Sequence, residues 1–215
     1  MLPAPDLKEI VSRLESVRLD PWGPDGVRYV CVLFWDNHGY RHLTNQIDWE
    51  TWQRWHRSSG EFWDLFLAGC YCWGPQDYYG DEGLALTPEE DRDHPPVRWS
   101  QRQSDSLARD IASEAHRAGA PPWRFSGPLE LVAVGARHAG HDVDIDWASL
   151  RFAKMPPNEL SMAVSDYTEA HISLDSGLAP SPWPSPGDFR DDLPRELKRD
   201  LLERVGLLNL LFNHP

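Results

Sequence analysis

From residue 7 onward, apolar side chains recur at helical spacing: Leu7, Ile10, Val11, Leu14 and Val17 fall three and four apart. Asp6 and Glu9 stand ahead of them at capping-box spacing, so the pattern predicts an amphipathic helix. A turn-rich stretch from Asp20 to Gly26 gives way to Val27–Trp35. That run is apolar almost throughout, which predicts a strand covered on both faces and ended by a turn at Asp36-Asn37-His38-Gly39. Trp49, Trp52, Trp55 and His56 line one side of a short helix that Gly60 closes, and Phe62 to Leu67 reads as a second strand. Strand, helix and strand in close succession form the βαβ pattern that pairs strands in parallel.

Residues 68–98 carry Gly, Pro and acidic clusters with little periodicity and read as a long loop insertion. Ser100 and Gln103 make a second capping box. Behind it Leu107, Ile111, Ala115 and Ala118 form a stripe that Gly119 can close, predicting a helix over 100–118. Leu129 to Ala136 is a third strand. After His138-Ala139-Gly140-His141, the alternation of Val143, Ile145 and Trp147 with Asp142, Asp144 and Asp146 predicts a half-buried fourth strand, antiparallel to the third. A further helix is expected within 156–170 and a Pro-rich linker over 173–190. A last helix is marked by Leu193, Leu197, Leu201, Val205, Leu208 and Phe212 behind Asp192 and Pro194. The expectation is a single α/β domain over 1–215, with a mixed central sheet flanked by helices.

Setting aside the first helix and the one within 156–170, the elements run βαβαββα. This order resembles the thioredoxin-like fold over roughly 27 to 212, with 68–98 as an insertion, and Pro128 precedes the third strand, where that fold carries a cis-proline. The resemblance implies no dithiol chemistry, because Asn37-His38-Gly39-Tyr40 follows the first strand and no Cys-x-x-Cys does.

Charge narrows the choice of partner. The formal net charge of −13, with no basic run, argues against a direct grip on nucleic acid, which needs cations to displace counterions, and favours a protein partner bearing a basic patch. No stretch reaches the roughly 20 apolar residues of a membrane span, and the N-terminus lacks the pattern of a secretion signal, so a cytoplasmic protein is expected. Three cysteines, Cys31, Cys70 and Cys72, match no disulfide framework. Cys70-x-Cys72 is half a zinc site without its other half.

Phosphate-binding Gly-rich loops, the Gly-x-Ser-x-Gly elbow, His-Glu-x-x-His and the dinucleotide fingerprint are all missing, and no cofactor is expected. Asp36, His38 and His42 follow the end of the first strand, where open α/β sheets often bind ligands. Asp36 and His38 could form an acid–base pair there, with Cys70 as nucleophile, although Asp, Asn, His and Gly also suit a turn. Two readings of function follow. In the first, the chain is a non-catalytic interaction module or accessory subunit of immunity, antitoxin or scaffold type. It would present an acidic, Trp/Tyr-rich surface, with Trp73, Tyr78 and Tyr79 in the loop as contact candidates. Leu208 and Phe212 belong to a final helix too broadly apolar for one-sided docking, which suits homo- or hetero-oligomer contact. In the second, His138, His141, Asp142, Asp144 and Asp146 hold a divalent metal and the protein is a metal-dependent hydrolase.

Overall fold

The computed structural model describes residues 2–16, 27–46, 63–72, 84–85, 97–127, 129–139, 142–154, 156 and 160. In chain order its elements are β1 (Leu2–Ala4), α1 (Leu7–Ser16), β2 (Val27–Trp35), α2 (Asn37–Gln46), β3 (Trp63–Ala68), β4 (Cys70–Cys72), β5 (Leu84–Ala85), β6 (Val97–Trp99), α3 (Gln101–Arg117), β7 (Leu129–Ala139) and β8 (Asp142–Lys154). Five strands form a mixed sheet in the order β1-β3-β2-β7-β8, and β4, β6 and β5 form a second sheet of three. The architecture is α/β.

β2 occupies the centre because its sequence has no polar side. Val30, Val32 and Phe34 point to one face and Cys31, Leu33 and Trp35 to the other, all 3% exposed or less. It pairs in parallel with β3, Cys31 opposite Leu65, as the βαβ pattern predicts, and antiparallel with β7, Cys31 opposite Ala133. One face of the sheet packs against α1 through Ile10 and Leu14 and against α3 through Leu107, Ala108, Ile111 and Ala115. All but Ala108 are among the residues whose spacing marked the two helices. Their starts are capped as their sequences require: the Asp6 Oδ1 accepts from the Glu9 N–H at 2.8 Å, and the Ser100 hydroxyl accepts from the Gln103 N–H at 3.4 Å.

Two expectations are corrected and one strand is added. The turn at Asp36-Asn37-His38-Gly39 is the first turn of α2. Asp36 caps it, its Oδ1 accepting from the backbone N–H of His38 at 2.9 Å and of Gly39 at 2.8 Å. The 68–98 segment is not wholly loop, since β4 and β5 lie within it and β6 begins there. The run Leu2–Ala4 adds an edge strand parallel to β3. The helices expected near 49–56 and 193–212, and the linker at 173–190, lie outside the described residues; of the helix expected within 156–170 only Pro156 and Leu160 are described, and Leu160 is helical and buried.

The β7–β8 hairpin continues beyond the predicted strands. Between the pairs Ala133↔Arg151 and Gly135↔Asp146 the register shifts, leaving Trp147 to Leu150 bulged out of β8. Ser149 satisfies the freed backbone. Its hydroxyl accepts from the Gly135 N–H at 3.2 Å and donates to the Asp146 carbonyl at 2.6 Å. The bulge changes parity, so Ile145 and Leu150 both enter the same core although they are five residues apart.

Candidate functional site

Asp142, Asp144 and Asp146 project from one side of β8 and all three are exposed. Val143, Ile145 and Trp147 turn to the core side, as the alternation predicts. Asp144 stands directly across from Arg137 of β7, and both are exposed. Farther along, burial lowers the pKa of the Arg151 guanidinium, and the field of Asp146 opposes that shift. Among the described residues β8 hydrogen-bonds on one side only, so the acidic face belongs to an edge strand, a setting in which charge also discourages uncontrolled pairing. No group of three His, Cys, Asp or Glu side chains among the described residues is placed to hold a metal ion. His141 and the side chain of His138 lie outside them.

A second feature gathers at the carboxyl ends of the parallel strands. Trp99, at the end of β6, stacks on Trp35, at the end of β2, with ring centroids 5.9 Å apart, and on Tyr40 of α2 at 5.3 Å and 11°. The indole N–H groups of Trp35 and Trp99 are buried without an acceptor among the described residues. Desolvation pushes the Tyr40 phenol above its ordinary range, and the nearby Cys70 adds to the shift. Gly69 joins this edge to α3. Its N–H donates to the Ala4 carbonyl at 2.9 Å and its carbonyl accepts from the Ser100 N–H at 3.0 Å.

The acid–base pair considered for Asp36 and His38, with Cys70 as nucleophile, meets a different geometry. Asp36 commits Oδ1 to capping α2, and Cys70 is fully buried, away from any substrate in solution. Cys31 is likewise buried, as an apolar strand residue would be. Trp73, Tyr78, Tyr79, Leu208 and Phe212 all lie outside the described residues.

Three buried charged side chains, Arg28, Asp64 and Glu130, have no counterpart among the residues singled out from the sequence. Arg28 of β2 and Asp64 of β3 form a bidentate ion pair, Nε to Oδ2 and Nη2 to Oδ1, with side chains 2% and 4% exposed. Glu130 of β7 is fully buried and held by hydrogen-bond donors. Its Oε2 accepts from the Trp123 Nε1 at 3.1 Å, and its Oε1 accepts from the Ser126 N–H at 2.9 Å and hydroxyl at 2.8 Å. The available signal was a lone charge within each strand pattern, Arg28 in Val27–Trp35 and Glu130 in Leu129–Ala136. Compared with protein-family models, curated proteins and solved structures, the chain matches none of them.

Proposed function

We propose that the protein is a non-catalytic interaction module, of accessory-subunit, immunity or scaffold type, that receives a basic protein partner on the acidic face of β8. The observation that carries this reading is the placement of Asp142, Asp144 and Asp146, all exposed on one side of an edge strand. Such a row gives long-range attraction and register to a cationic surface, and the open strand edge offers backbone groups to whatever it attracts. The fully buried polar side chains Glu130 and Asp64 are occupied by structural partners, which supports binding over catalysis.

We propose further that the scaffold is thioredoxin-like. It is supported by the order of the five strands, by the parallel β2–β3 pair and by the antiparallel β7 beside β2. A scaffold of that kind with Asn37-His38-Gly39-Tyr40 at the start of α2 has no dithiol to exchange, consistent with reuse for binding.

The test is native mass spectrometry of complexes isolated at natural expression level from cells carrying the wild-type chain or D142N/D144N/D146N, with elemental analysis of the same samples. The expected result is one stoichiometric basic partner, retained by the wild type at low salt and lost in the triple variant and at high salt. Undiminished retention by the triple variant, or stoichiometric divalent metal without a partner, overturns the reading; the latter outcome would favour hydrolase chemistry at the same acids.

A further inference from the structure

Away from the acidic strand, α3 ends in a turn that folds the chain back beneath it. Gly119 takes φ +80°, its N–H donates to the His116 carbonyl at 3.1 Å, and the Ala120 N–H donates to the Ala115 carbonyl at 2.9 Å, the paired bonds of a Schellman cap. Pro121 and Pro122 then direct residues 123–127 toward the start of β7. Between α3 and this return segment lies an open groove of about 790 Å³, within the size range of small-molecule sites.

The groove is built on fixed parts. Trp123 is held by the buried Glu130 and packs against Phe34 at 5.3 Å and Phe152 at 6.5 Å, while Phe125 packs against Phe34 at 5.7 Å. Ala108 and Ala112 face them with small side chains, leaving room between helix and aromatic wall. The rim carries Arg109 and Arg124, both exposed. Asp105, the one acid at the rim among the described residues, accepts from Gln101 Nε2 at 2.8 Å, and the Arg109 Nε donates to the Asp105 backbone carbonyl at 3.2 Å. Among the described residues neither arginine is in an ion pair. In a chain of net charge −13, two arginines unpaired with acid beside an aromatic floor are complementary to an organic anion with an apolar body.

We infer that this groove binds a small amphipathic carboxylate, its apolar body between Ala112 and Trp123 and its carboxylate at Arg109 and Arg124. The inference is independent of the β8 surface. It is tested by ¹⁵N-resolved NMR titration of the full chain with 4-phenylbutyrate and its uncharged counterpart 4-phenylbutanamide. The acid is expected to shift the Trp123 indole N–H and the Ala108 and Ala112 amides saturably, with the amide at least about tenfold weaker. R109Q/R124Q, two exposed changes, should bring the two ligands to similar affinity, and A112W should abolish both. Absence of shifts at Trp123 and Ala112 at millimolar ligand, equal affinity of acid and amide for the wild type, or tighter occupation by an acidic phenylalanine-containing peptide would overturn the assignment.

Discussion

Asp64 and Glu130 are both carboxylates removed from water, and the sheet stabilises them by different means. Asp64 has a guanidinium on the neighbouring strand, whereas Glu130 has three hydrogen-bond donors and no cation among its bonded partners. Breaking the first by Asp64→Asn or Arg28→Met strands a buried partner, at a cost of about 3–5 kcal/mol in denaturant unfolding. The double replacement R28M/D64L should cost less than the sum of its singles, because neither member of the pair is left facing the other's vacancy. Glu130→Gln presents an amide where three donors converge, which should destabilise by about 1–3 kcal/mol and shift Trp123 emission to longer wavelength. Neither pairing was legible in the sequence. A charged residue inside an apolar run shows that a partner is needed but not which strand brings it, and Asp64 lies 36 positions from Arg28.

Glycine and cap positions act at the scale of elements. Gly69, at φ +74°, lies so close to the start of α3 that an added Cβ would sit 2.5 Å from the Ser100 carbonyl oxygen, while Gly119 at φ +80° faces open space. Gly119→Ala should therefore cost only the positive-φ penalty of roughly 1–2 kcal/mol, and Gly69→Ala clearly more, since β3 and α3 must also separate; thermal unfolding of the pair measures the difference. Tyr40 adds a pH dependence to the α2–β6 contact. Its folded pKa is raised, so the folded state holds the proton longer than the unfolded chain. Its contribution is complete below the ordinary phenol value of about 10 and is lost as pH climbs from there through the folded value. Absorbance titration of the wild type against Tyr40→Phe should show one late-ionising phenol removed by the substitution. The helices α1 and α3 and the strand β2 were legible because local period and caps agree with burial there. α2 was not: Asp36, Asn37 and Gly39 suit a turn as well as a helix start, and packing beneath Trp99 decides between them.

For the molecule as a whole, the acidic surface and the arginine-rimmed groove are two separate features on one sheet, one predicted to answer to salt and the other to a small ligand. Raising ionic strength should weaken partner capture by β8 steeply, whereas D142N/D144N/D146N should capture no partner even at low salt, as read by binding at several salt concentrations. No helix among the described residues is long and apolar enough to cross a membrane. Amino-acid order alone settled the α/β class, the buried central strand and the outward row of Asp142, Asp144 and Asp146, because period-two and period-3.6 patterns are local consequences of which side meets water. Tertiary structure alone decided that Arg28 meets Asp64, that Glu130 anchors Trp123, that β8 changes parity at its bulge and that α3 and its return segment enclose a groove. Each of these depends on which distant segments become neighbours, and that is set by the summed packing of the core rather than by any short stretch of chain.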